Sequence, residues 1–314
     1  MKIAILDDYQ DACRKLDAWK KLDGHEVSVF RDTLTDEKAL AERLKDFEGL
    51  VLIRERTRFP ASLLEKLPKL RALSQTGKAG PHIDLAACKQ RGIAILEGSG
   101  SPYATAELTW GLILAAMRRL PQEIENLKKG GWQQTVGYGL RGRALGIYGF
   151  GRIGSVVAGY GEAFGMRVQV HGREGSLERA KAAGFETVAS REGFFGSSDV
   201  LSLHVRLIPE TRGLVTARDL ALMKPDSVFV NTSRAELVAP GALVGALKTG
   251  RPGFAAVDVY EEEPVLGAAH PLLALGNAIC TPHLGYVEKD GYELYFGAAF
   301  DNLAAFAKAG PART

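Results

Sequence analysis

Ala144-Leu145-Gly146-Ile147-Tyr148 leads without a break into Gly149-Phe150-Gly151-Arg152-Ile153-Gly154, and a helical pattern follows over 155–164. Each glycine has a mechanical task in such a turn. Gly149 permits the tight bend, Gly151 lets a pyrophosphate approach the backbone, and Gly154 lets the helix pack on the strand. The helix N-terminus then faces the phosphates. The spacing alone recurs by chance in a glycine-rich chain, where it marks a plain helix-packing turn. Set between a strand and a helix, it reads as a dinucleotide-binding turn.

Working outward, strands are predicted at 144–148, 167–170, 200–204, 227–231, 255–259 and 278–280, with helical segments such as 154–164 and 237–248 between them. That is the six-strand rhythm of a dinucleotide-binding unit. Upstream, strands at 3–6, 27–30, 50–53, 70–74 and 93–96 alternate with helical patterns at 35–45 and 61–66. A long helix is expected from 104 to about 119, ended by Pro121, then a loop over 130–142 and a last helix over 290–308. Strands alternating with helices describe an α/β protein with parallel sheets.

Composition narrows the function. Forty basic against 37 acidic residues leave +3, too balanced for a protein that binds a nucleic-acid backbone. No uncharged apolar run reaches the roughly 18 residues of a membrane span. The start, MKIAILDDYQ, has no basic leader. Three widely spaced cysteines, Cys13, Cys88 and Cys280, form neither a disulfide framework nor a metal knuckle, so a reduced cytoplasmic setting is expected, with no metal. Glycine is in excess at 36 of 314 residues, and 14 of those fall between Gly130 and Gly175, around the turn.

The end of the second strand normally carries an acidic residue for the ribose hydroxyls. Here 167–170 is followed by His171-Gly172-Arg173-Glu174. Gly172 removes the carboxylate that would repel a 2′-phosphate, and Arg173 supplies a guanidinium for it. NADP(H) is therefore expected in preference to NAD(H); the alternative is that Glu174 takes the ribose role and Arg173 is solvated.

Hydride transfer to a carbonyl needs a proton donor, usually histidine. Of six histidines, His25, His82 and His270 read as turn, cap or loop residues, and His171 and His204 end strands on the cofactor side. His283, in Cys280-Thr281-Pro282-His283-Leu284-Gly285, follows the last apolar run of the nucleotide unit, at the sheet edge where ligands bind.

Five ordered motifs now add up. They are the Gly149–Gly154 turn; Leu203-His204-Val205 with Glu210-Thr211; Met223-Lys224-Pro225 followed by Val230-Asn231-Thr232-Ser233-Arg234; Asp258-Val259-Tyr260 with Glu263-Pro264; and Thr281-Pro282-His283. Together they resemble the D-isomer-specific 2-hydroxyacid dehydrogenases, a family with phosphoglycerate, glycerate and glyoxylate/hydroxypyruvate enzymes. The resemblance implies a catalytic trio of Arg234, Glu263 and His283. Arg234 would bind the carboxylate and 2-oxo oxygen of a substrate and stabilise charge there. Glu263 would favour the imidazolium of His283, which would protonate that oxygen.

The resemblance further places Thr232 and Asp258 against the nicotinamide half of a cofactor, and the backbone of Arg152 and Ile153 against its pyrophosphate. It makes Thr105 a cofactor contact; His204, at its strand end, is read as a cofactor contact or a structural residue. The loop Thr76-Gly77-Lys78-Ala79-Gly80 matches the family's substrate-carboxylate loop, where backbone N–H groups bind the anion. Two departures stand out: Arg206 where a proline is common, within reach of cofactor phosphate or ribose, and Ala235 where a glycine usually follows the arginine.

The implied layout is a Rossmann-type dinucleotide-binding domain (101–285) inserted into a flavodoxin-like substrate domain (1–100, completed by a helix within 286–314), with chemistry in the cleft. A homodimer through the 104–119 helix and Trp132 is implied, as is the lack of an appended regulatory domain beyond Thr314. Arg54 and Arg56 follow a strand of the first domain; they would hold a phosphate, suiting phosphoglycerate, or brace the domain and leave a small glyoxylate- or hydroxypyruvate-like acid. The smaller acid is the expected substrate. A non-catalytic dinucleotide sensor is the alternative of another class, and it has no use for the trio.

Overall fold

The computed structural model describes residues 1–309, so the final part of the 286–314 segment lies outside the described residues. The chain forms two compact units, Met1–Ser101 together with the residues from Val287 on, and Pro102–Tyr286.

The first unit is built on β1 (Lys2–Ile5), β2 (Glu26–Val29), β3 (Gly49–Leu52), β4 (Ala72–Gln75) and β5 (Ala94–Glu97), in the order β2-β1-β3-β4-β5. Every pairing is parallel. This is the doubly wound order of flavodoxin-type sheets. β3 and β4 are buried along their whole length, as central parallel strands covered on both faces must be. The 21-residue helix Lys289–Ala309 closes the unit, burying Tyr295, Phe296, Phe300 and Leu303. The Ser74 hydroxyl donates to the Ala299 carbonyl within that contact, at 2.9 Å.

The second unit holds β6 (Ala144–Tyr148), β7 (Arg167–His171), β8 (Glu186–Thr187), β9 (Val200–Leu203), β10 (Val228–Asn231), β11 (Phe254–Val257) and β12 (Ala278–Cys280). Their order is β12-β11-β10-β9-β6-β7-β8, all parallel. The six-strand expectation missed β8, which has only two residues and no apolar run of its own. The strand taken as sixth is thus the seventh. The first six follow the Rossmann order, with the switch point between β6 and β9.

Two helix expectations are corrected. The first helix is Tyr103–Met117; Arg119 then turns left-handed (φ 56°), and a second helix, Leu120–Lys128, begins with Pro121 in its first turn. A proline fits a first helical turn because its missing N–H would be unpaired there anyway. The 237–248 helix is divided into a short 3₁₀ turn, Ala235–Leu237, and the helix Ala242–Thr249, because Gly241 turns left-handed (φ 70°) after Pro240.

Candidate active site

β6 ends at the glycine turn. The Gly149 N–H donates to the His171 carbonyl at 2.8 Å, tying the turn to the end of β7. Gly149 is left-handed (φ 96°), and a Cβ there would lie 2.7 Å from the His204 carbonyl oxygen. A Cβ on Gly154 would collide with the Gly149 carbonyl, whereas one on Gly151, the residue that precedes the helix Arg152–Ala163, meets only open space. Two glycines are therefore required by the protein itself, and the third leaves room beside a helix N-terminus. That cradle fits a dinucleotide pyrophosphate. Arg152 lies in the first turn of this helix, and the Ile153 side chain packs into the core.

Below the turn, His204 shares a hydrogen bond through Nε2 with the Ser202 hydroxyl (2.8 Å), and its Nδ1 is buried without a partner. Burial pulls the ring's pKa down to about 4, so it stays neutral. The neighbouring Arg206 side chain is exposed.

At the end of β7, a Cβ on Gly172 would come within 3.2 Å of Ser176 Cβ, so the expected carboxylate position is also crowded. Arg173 precedes the helix Glu174–Ala182 and is exposed; Glu174 occupies the helix's first turn. Arg179 was missed. Its Nε and Nη2 both donate to the Phe150 carbonyl in the turn, at 3.2 and 3.1 Å. No carboxylate pairs with Arg173 or Arg179 among the described residues.

β10 delivers Arg234, and Asn231 holds its backbone. The Asn231 amide donates to the Arg234 carbonyl (2.9 Å) and accepts the Ser233 N–H (3.0 Å), while the Ser233 hydroxyl donates to the Leu203 carbonyl (2.7 Å). The guanidinium donates to the Ser233 carbonyl at 2.6 Å. Asn231 and Ser233 were within a quoted motif, but their role was unreadable without the backbone turning around them.

The loop after β12 carries His283 in a left-handed conformation (φ 52°), a strained state for a non-glycine residue that surroundings must impose. Asp258, just past β11, supplies that constraint. Its carboxylate accepts the Thr281 hydroxyl (2.6 Å) and the Leu284 and Gly285 N–H groups (2.7 and 2.8 Å). Burial pushes its pKa up, opposed by the Thr281 and Leu284 hydrogen bonds and the nearby His283. His283 Nδ1 lies 2.5 Å from Glu263 Oε2, and Glu263 Oε1 accepts the Tyr260 N–H at 2.9 Å. The carboxylate thereby fixes both the ring and the tautomer, leaving Nε2 to exchange a proton.

Thr105, expected as a cofactor contact, donates its hydroxyl to the Gly285 carbonyl at 2.7 Å. Asp258, expected at the nicotinamide, accepts three hydrogen bonds from the His283 loop.

In the first unit, Arg54 follows β3 in a left-handed conformation (φ 53°). Its N–H donates to the Thr76 hydroxyl (3.2 Å) and its carbonyl accepts the Gln75 amide (2.7 Å). Its guanidinium lies so close to Gly77 that any Cβ at 77 would collide with it. Lys78 and Ala79 are engaged otherwise than expected. The Lys78 ammonium pairs with Glu97 at 3.0 Å, and the Ala79 N–H donates to the same carboxylate at 2.8 Å. Glu97, at the end of β5, already fills the place of an anion there. Arg56 is a brace: it donates to the Asp7 carbonyl at 2.5 Å and lies 4.5 Å over the Tyr9 ring.

The sequence profile described as "D-isomer specific 2-hydroxyacid dehydrogenase, NAD binding domain" matches residues 110–285. Glyoxylate reductase of Aeropyrum pernix is 40% identical over 261 residues, covering 80% of this chain and 77% of that protein. D-3-phosphoglycerate dehydrogenase of Methanocaldococcus jannaschii is 36% identical over 91% of this chain, which spans 53% of that longer protein. The crystal structure of phosphoglycerate oxidoreductase from Vibrio cholerae O395 superposes with a TM-score of 0.96 at 54% identity, covering 99% of this chain and 100% of that one. The chain belongs to the D-isomer-specific 2-hydroxyacid dehydrogenase family. It is an oxidoreductase acting on CH–OH donors with a nicotinamide dinucleotide. Among the described residues no three His, Cys, Asp or Glu side chains form a metal group, and no helix is long and apolar enough to cross a membrane.

Proposed function

We propose that the enzyme reduces a small 2-oxo acid of the glyoxylate or hydroxypyruvate type to its D-2-hydroxy acid. The observation that carries this reading is the 2.5 Å contact between Glu263 and His283 Nδ1, which leaves Nε2 as the proton-transferring atom. A bound nicotinamide ring supplies the hydride that adds to C2. His283 Nε2 gives the substrate oxygen its proton, and in the oxidation direction takes it back. Glu263 balances the charge of the imidazolium. Arg234 binds the substrate carboxylate and stabilises negative charge on the 2-oxo oxygen. Gly77 and Arg54 belong to the substrate side in this reading.

NADPH is the preferred reductant in this reading. Gly172 offers no carboxylate, and Arg173 and Arg179 are two exposed cations beside the ribose end of the turn. A homodimer is also part of the proposal. The Tyr103–Met117 helix buries most of its apolar residues in its own unit, so the surface offered is the following stretch, where Ile124, Leu127, Trp132 and Val136 are 54%, 59%, 75% and 91% exposed.

The test is a panel of 2-oxo acids assayed with NADPH and NADH. Glyoxylate or hydroxypyruvate is expected to turn over, with the lower KM for NADPH, and Arg234→Ala to lower kcat/KM by about 1,000-fold. Lower KM for NADH would overturn the cofactor preference. A second reading, D-3-phosphoglycerate dehydrogenase, is favoured by the held guanidinium of Arg54; faster turnover of 3-phosphoglycerate than of the small acids would establish it.

A further inference from the structure

The Glu263–His283 pair joins two segments 20 positions apart, and the bonds that Asp258 accepts all fall on the second of them. Tyr260, buried two residues past Asp258, reaches both. Its N–H donates to Glu263 Oε1 at 2.9 Å, while the other carboxylate oxygen meets His283. Its hydroxyl donates to the Thr281 carbonyl at 3.0 Å. That same carbonyl accepts the His283 N–H, also at 3.0 Å, so both of its lone pairs are taken. The peptide it belongs to ends in Pro282, which has no N–H, so the carbonyl is that peptide's one polar group. The Tyr260 ring packs edge-on against His270, with centroids 5.0 Å apart, and His270 Nε2 lies 3.0 Å from Glu261 Oε2. Burial raises the pKa of the Tyr260 phenol, so its hydroxyl keeps the proton and stays a donor.

We infer that Tyr260 is a positioning residue that sets the spacing of the Glu263–His283 pair, holding the carboxylate through its backbone N–H and the histidine bend through its hydroxyl. A tyrosine carries its hydroxyl on a rigid ring with two side-chain torsions, so the two contacts stand a fixed distance apart once the ring is packed. Without the hydroxyl, the Thr281 carbonyl keeps the His283 N–H, a bond that lies inside the bend and cannot fix it against Glu263. His283 is left-handed (φ 52°), so a bend released on this side relaxes away from the carboxylate. The inference rests on the proposed reading of Glu263 and His283 as the proton-transferring pair, and not on which acid is reduced or which dinucleotide is used.

Tyr260→Phe removes the hydroxyl and keeps the ring and the N–H. Two measurements test it: steady-state kinetics with glyoxylate, and nitrogen NMR of the imidazole, which tells which nitrogen of the neutral His283 ring carries the proton. The native enzyme is expected to hold that proton on Nδ1, facing Glu263. In the phenylalanine variant a second population protonated on Nε2 should appear, and kcat should fall about tenfold while KM for the dinucleotide stays within about twofold. Ser198→Ala is the control. It removes another buried hydroxyl-to-carbonyl bond, to Phe194 at 2.7 Å, and should leave both measurements native. A native ring protonated on Nε2, a phenylalanine variant that keeps the native proton position, or a Ser198→Ala variant that shifts it equally overturns the inference. The NMR measurement needs no substrate: a native enzyme that reduces no 2-oxo acid would refute the proposed reaction, and the proton position alone would then decide this inference.

Discussion

The glycine turn and the His283 loop both leave the carboxyl ends of strands in one parallel sheet, and they are held by opposite means. The turn is held by what is missing. Gly154 lets its helix close on the Gly149 carbonyl five positions earlier, and Gly149 lets the turn approach the His204 carbonyl, each nearer than a side chain allows. The His283 loop is held by what is added. Its strained residue is fixed by Asp258, 25 positions earlier, and by Thr105, whose bond to Gly285 spans 180 positions. A spacing rule therefore describes the first region, and only a network describes the second.

The contrast has consequences, beginning with the most damaging. Gly154→Ala forces Cβ into the Gly149 carbonyl, so dinucleotide binding should weaken by roughly 100-fold in a calorimetric titration. Gly151→Ala meets no protein atom; it should leave stability within about 0.5 kcal/mol in urea unfolding and still weaken binding. In the other region, Asp258→Asn turns an amide towards the Leu284 and Gly285 N–H groups. A loss of about 1–3 kcal/mol in unfolding free energy is expected, with turnover falling more than cofactor affinity. Equal effects on kcat and on cofactor dissociation would show that Asp258 does not act through the His283 loop.

The smallest effect comes from His204, which lies beneath the turn. Its folded pKa is about 4, below the ordinary histidine value of 6.5. The unfolded chain thus takes up a proton first as pH falls, and stability is lost between those two values. The loss should be about 1 kcal/mol by roughly pH 5.5, read from urea midpoints, and His204→Asn should remove it.

Part of the candidate site was legible in the sequence. Arg234, Glu263 and His283 stood in ordered motifs, and the structure brings Glu263 and His283 into contact. Arg179 was invisible, because an arginine on a polar helix carries no signal of its own. Lys78 and Ala79 read as anion binders only while Glu97, 18 and 19 positions away, was out of view. β8 was lost because two residues cannot show a period.

Local chemistry settled what lies within one turn of chain: glycines where a Cβ would strike backbone, apolar runs that must be buried, and a proline that opens a helix. Hydrogen-bond partners were settled by folding alone. Which N–H groups the Asp258 carboxylate accepts and which anion occupies the Ala79 N–H depend on groups that only packing brings within 3 Å. A side chain's donors and acceptors are written in its residue type, but their partners are written in the fold.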